Sequence, residues 1–136
     1  MENLDSKYKL SSVKILHETK GCETLVINLE SGSYFILENV ASLIWQMLVR
    51  QITLAEIEKN ISEKMSVNED VCQKELKYFV ESLVSENLIV SVQGEVASQE
   101  ISAELLQLYT AYSKPEVRKF TDMEALLLAD PIHEFK

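Results

Sequence analysis

The residues able to do chemistry are few and scattered. His17 and His133 stand far apart, with neither a zinc-knuckle nor a His-x-x-x-His pattern around them. His17 reads as a surface residue at a strand end. Cys22 and Cys72 lack metal-type spacing. Cys22 lies between Gly21 and Glu23, and an acidic neighbour disfavours the thiolate a nucleophile needs. Cys72 falls on the apolar stripe of a helical pattern and reads as a small core residue. Three isolated glycines cannot build a phosphate-cradling loop. Carboxylates are plentiful, but Glu56, Glu58, Glu63, Glu69, Glu75 and Glu81 recur along helical stretches and read as solvated faces. The expectation is a binding protein and not an enzyme, with no catalytic residue, no metal and no cofactor.

The bulk properties narrow what is bound. The chain has 136 residues, 46% of them hydrophobic, enough for one core and an appendage. Its net charge is −9. Nucleic-acid binding draws its affinity from clustered Lys and Arg, so a phosphate-binding surface is disfavoured. Four basic and five acidic residues fall in 108–136, which leaves most of the acidity in the preceding part. The start, Met1-Glu-Asn-Leu-Asp-Ser6, has no signal-peptide pattern, and no apolar run approaches the roughly 20 residues that span a bilayer. Reduced cysteines and a cytoplasmic location are expected.

Elements that could position a binding site follow from periodicity. Val13–His17 reads as a first strand, and Lys20-Gly21 as a turn. Leu25, Ile27 and Leu29 alternate and suggest a core face. Ser31-Gly32 reads as a two-residue hairpin loop. Pairing Glu30 with Ser33 sets Leu29 opposite Tyr34 and Ile27 opposite Ile36. Val40, Leu43, Ile44, Met47 and Leu48 then mark a first helix, with Asn39 as N-cap. Thr53 and Glu56 form a capping box for a second helix, and Ile52 and Ile57 its hydrophobic staple. Ser66 to Glu69 offers the same start for a third, whose inward face carries Cys72, Leu76, Phe79, Val80, Leu83 and Val84. Leu88 to Val92 is a short apolar return. The expected fold is α+β and winged-helix-like, a three-stranded antiparallel sheet followed by three helices.

Tyr34, Phe35, Ile36 and Leu37 have apolar side chains for both sheet faces. Phe35 and Leu37 either complete the core or wall a groove. The third helix carries a polar flank with Gln73, Lys74, Lys77, Tyr78 and Glu81. A groove between that strand and that helix would take an extended peptide as an added strand.

The order of motifs resembles the PqqD-like family of leader-peptide recognition domains. Tyr34 and Leu37 match its Tyr-x-x-Leu strand, Asn39 its polar residue, and Ile44-Trp45 its helical Ile-Trp pair. Thr53, Glu56 and Ile57 match its second-helix start, and Leu83, Leu88 and Ile89 its close. Glu38 departs from the Asn of many members. About half of the chain is covered. The resemblance implies that a precursor's leader peptide binds beside Tyr34–Leu37, with the Gln73–Glu81 flank as the other wall. Lys74 and Lys77 would then meet acidic leader residues. It also implies presentation to a modifying enzyme, such as a radical-SAM protein, a protease or a cyclase.

Residues 1–93 are expected to form this domain and 94–136 a helical, leader-like extension, divided at Gln93-Gly94-Glu95. Ile101, Leu105, Leu108, Tyr109 and Tyr112 give a helical stripe, and Lys114-Pro115 ends it. Tyr112, Pro115 and Val117 resemble the Tyr-x-x-Pro-x-Leu leader motif of lasso-peptide precursors, with Thr121 where Gly usually stands. Val117–Phe120 reads as extended, with Phe120 as a further anchor. Thr121 to Glu124 offers another cap, followed by the Leu126–Leu128 cluster. The tail is expected to occupy a leader-type groove, in its own domain or in a homodimer. Two rivals remain: a winged-helix DNA-binding regulator, and a fused carrier whose tail is itself leader or substrate.

Overall fold

A computed structural model describes residues 6–92 and 101–121. The strands are β1 (Lys7–Leu10), β2 (Ile15–Lys20), β3 (Glu23–Asn28), β4 (Ser33–Glu38), β5 (Ile89–Val92) and β6 (Arg118–Phe120). The helices are α1 (Val40–Val49), α2 (Leu54–Met65), α3 (Glu69–Ser85) and α4 (Ala103–Gln107). The fold is α+β with antiparallel pairing throughout. One sheet runs β2-β3-β4-β6, and β1 pairs with β5 in a separate ribbon. The expected three-stranded sheet is therefore corrected to four strands, because the tail supplies β6.

The hairpin register also departs from expectation. Asn28 pairs with Ser33, Ile27 with Tyr34 and Leu25 with Ile36. The loop thus holds four residues, 29–32, and not two. Asn28 sets it: its Oδ1 accepts from the Glu30 and Ser31 amides at 2.9 and 3.2 Å, and its carbonyl accepts from Gly32 N–H at 2.9 Å. Gly32 takes φ +81°, a conformation that strains other residues. The core face is the opposite of the one alternation suggested. Thr24, Val26, Phe35 and Leu37 are buried, whereas Leu25, Ile27 and Ile36 are only half-buried on the outer face. Thr24 tolerates the core because its hydroxyl is bonded to Ser42 and to Thr19, each at 2.7 Å.

α1 is the central helix. Every residue from Val40 to Leu48 is buried, as befits a helix apolar nearly all round. α2 starts as expected: Thr53 Oγ1 accepts from Glu56 N–H at 3.2 Å, and Ile52 and Ile57 are buried. The start of α3 is corrected. Asn68, not Ser66, is its cap, accepting from the Asp70 and Val71 amides, while Ser66 closes α2 in the left-handed region at φ 53°. Asn39 holds the N-cap position of α1, but its side chain makes no capping hydrogen bond. The first strand lies at 15–20, two residues beyond its expected start, and β1 precedes it. No helix among the described residues is long and apolar enough to cross a membrane.

Candidate functional site: the β4 edge and helix α3

β4 has two neighbours. β3 takes one edge, and β6 takes the other, with Tyr34 opposite Phe120, Phe35 opposite Lys119 and Ile36 opposite Arg118. The edge of β4 expected to take an added strand is paired here with a strand of its own chain.

The tail reaches that edge along a path fixed by specific contacts. After α4, Tyr109 enters the core, 3% exposed. Its hydroxyl accepts from Gln46 Nε2 at 2.8 Å and shares a 3.2 Å hydrogen bond with Ser42 Oγ. Burial raises its pKa, so the phenol stays neutral. The Cys22 thiol, half-buried, donates to the Leu108 carbonyl at 3.3 Å. Tyr112 then donates to Glu75 Oε1 of α3 at 2.5 Å. Burial and the adjacent carboxylate both push the Tyr112 pKa upward. Glu75 is thus a tail-binding residue, not part of a solvated face.

The chain next crosses α3. Lys114 Nζ lies 6.0 Å from the Tyr78 ring centroid, at the limit of cation–π reach. Pro115 is buried and Val117 packs against the core. A cleft of about 390 Å³ remains between the tail and Tyr78, Phe79 and Ser82. Alternation along β6 then sends Arg118 and Phe120 to the outer face and Lys119 to the inner one. Arg118 pairs with Glu38 at 3.2 Å, and Lys119 with Glu86 at 2.9 Å. Phe120 stacks on Tyr34.

The expected site residues divide accordingly. Tyr34 and Ile36 face the added strand's outer side chains, and Phe35 and Leu37, 1% and 0% exposed, complete the core. Their backbone forms the edge, and their side chains are not free to meet a ligand. On α3, Tyr78 and Lys74 border the tail beside Lys114. Gln73, Lys77 and Glu81 share the neighbouring helical stripe. Lys77 acts on Glu58 of α2, whose carboxyl is held above its usual pKa by burial, Glu69 and Asp70. Sequence reasoning missed Glu75, Ser82 and Glu86. They follow from 71, 75, 78, 82 and 86 at helical spacing, but either flank of the buried stripe satisfies that arithmetic. Of the tail anchors, Tyr112, Pro115, Val117 and Phe120 all make contacts. The Thr121–Glu124 cap, Leu126–Leu128 and the Gln93–Glu95 boundary lie outside the described residues, apart from Thr121.

Cys72 is buried, and desolvation with nearby Glu58 and Glu75 pushes its thiol up to about 11, so it stays protonated as a core residue. His17 sits at the far side of the sheet from the tail, with Nδ1 accepting from the Trp45 indole N–H at 3.2 Å.

Residues 23–89, which hold β4 and α3, match the profile of coenzyme PQQ synthesis protein D (PqqD). Residues 23–89 are thus PqqD-like in sequence. Two solved structures are similar to it. One, titled TbiB1 in complex with the TbiA(beta) leader peptide, is 27% identical with a TM-score of 0.56, over 60% of this chain and 93% of that one. The other, lasso peptide synthetase B1 complexed with the leader peptide, is 19% identical with a TM-score of 0.57, over 62% and 98%, and supports the fold. No curated protein matches the chain. The matched residues include β3, β4 and α1 to α3, while β6 lies beyond them.

Proposed function

We propose that this protein is a leader-peptide recognition element, a non-catalytic module that binds a ribosomal precursor's leader at the β4 edge and α3. It then presents that precursor to a modifying enzyme. One observation carries the reading: β4 accepts an antiparallel strand while α3 holds its flanking residues, in a fold like those of two leader-peptide complexes. Backbone pairing supplies affinity and the alternating side chains supply selectivity. The hairpin and helices make a winged-helix-like frame used for a peptide. The regulator alternative is disfavoured by the net charge of −9.

The tail is the resident ligand of this site. A short tether gives an effective concentration near millimolar, so a free leader must outcompete a segment already in place. In the full-length chain, Tyr112→Ala with Val117→Asp releases the tail while leaving Tyr109 in the core. A fluorescent peptide of residues 110–121 should bind that variant with a Kd of about 10 μM or tighter, near −7 kcal/mol. The unaltered chain should bind it at least ~10-fold more weakly. Absence of binding to the released variant would refute the site.

A further inference from the structure

Two adjacent cations in the seated tail are caught on opposite faces of the sheet. Arg118, opposite Ile36, lies on the outer face with Glu38. Lys119, opposite Phe35, lies on the inner face with Glu86, the residue that ends α3. Glu38 and Glu86 come from separate elements and meet only through the strand between them. A third carboxylate, Glu75, takes the Tyr112 hydroxyl further along. The groove therefore presents acceptors where the tail presents donors. This is the reverse of the charge matching that Lys74 and Lys77 suggested.

We propose that Glu38 and Glu86 are specificity-determining residues, selecting a peptide with consecutive basic residues directly after its Pro-x-aliphatic segment. The inference rests on the β4–α3 groove being the leader site. Both ion pairs are partly exposed, with side chains 53% and 48% exposed in one and 42% and 31% in the other. Such pairs attract weakly. Their discrimination comes mainly from exclusion, because an acidic peptide would place like charges together on both faces at once.

The test uses the full-length Tyr112→Ala, Val117→Asp chain and two fluorescent peptides of residues 110–121. One has the native sequence, and the other carries Arg118→Glu and Lys119→Glu. At low salt the native peptide should bind about tenfold tighter, and added salt should narrow the gap. Adding Glu38→Lys and Glu86→Lys to the protein should invert the preference. The same charge change at Glu18 and Glu63, exposed residues outside the groove, should not invert it. Equal affinities for the two peptides overturn the proposal and leave the leader site standing. So does inversion by the Glu18 and Glu63 control. If neither peptide binds, the leader site itself fails and the proposal goes with it.

Discussion

Tyr34 and Phe120 stack with ring centroids 4.9 Å apart and planes 11° from parallel, although 85 residues lie between them in sequence. Tyr34 belongs to the PqqD-like domain and Phe120 to the tail. The stack joins β4 to the tail on the outer sheet face.

Removing that stack should loosen the tail without unfolding the domain. Aromatic pairs contribute about 0.5–1.5 kcal/mol beyond the area they bury. Phe120→Ala should therefore raise hydrogen exchange at residues 118–120 several-fold, with α1 protection unchanged. Phe35→Ala, one residue along β4 but on the core face, should instead cost about 3–5 kcal/mol of global stability. Similar global losses in both variants would contradict the assignment of faces.

The Tyr112 hydroxyl gives a second handle. A hydrogen bond to a charged group contributes about 1.5–3 kcal/mol, and Tyr112→Phe deletes only the donor. Tail protection should drop roughly tenfold or more. Glu75→Gln retains an acceptor and should recover part of the loss relative to Glu75→Ala. Indifference to all three substitutions would remove the Tyr112–Glu75 contact from the docking account.

The cleft beside Val117 has room for more. Val117→Leu adds one methylene, worth about 0.8 kcal/mol if buried. Tail exchange at 118–120 should slow about threefold to fourfold. Faster exchange would mean that the cleft cannot accept the larger side chain.

The His17–Trp45 hydrogen bond makes a pH-dependent contribution. Burial, with Arg50 nearby, lowers the His17 pKa below its ordinary 6.5. The neutral ring accepts the hydrogen bond from the indole N–H, which imidazolium cannot do. The unfolded chain binds the proton more readily, so this contribution is intact above pH 6.5. It declines as pH falls through the lowered folded value. Denaturant midpoints measured from pH 7.5 to 5 should fall, and His17→Ala should flatten that part of the profile. A profile unchanged by His17→Ala would locate the dependence elsewhere.

Truncation after Gln93 removes Tyr109 along with the tail. Loss of a buried aromatic costs about 3–5 kcal/mol. The 1–93 fragment should melt well below the full chain, and Gln46 and Ser42 lose their shared partner. A fragment as stable as the whole would show that Tyr109 is dispensable to the core.

The helices were legible because their apolar stripes are continuous and Thr53 caps one start clearly. The sheet was harder. Leu25 and Ile27 alternate as a core face should, yet they mark the half-buried outer face, while the buried positions hold Thr24 and Asn28. Polar residues enter that face through hydrogen bonds to Ser42 and to the turn amides, which hydrophobic periodicity cannot register. The strand that the tail joins was legible as a doubly apolar run. The flank of α3 that meets the tail was not, because Glu75 and Glu86 gain their contacts only from a segment that crosses from elsewhere in the chain.

The pairing of β6 with β4 also bears on solubility. A six-residue strand with Tyr34, Phe35, Ile36 and Leu37 in sequence would, if left uncovered, present a row of unpaired amides on an apolar ribbon. Such edges template aggregation. The short β6 carries Arg118 on the outer face and Lys119 on the inner one, charges that discourage further pairing, so the sheet ends on a strand ill-suited to recruit another copy. Any release of β6 from β4 would therefore expose a sticky edge. The protein's tolerance of high concentration is then set by how seldom that edge stands bare.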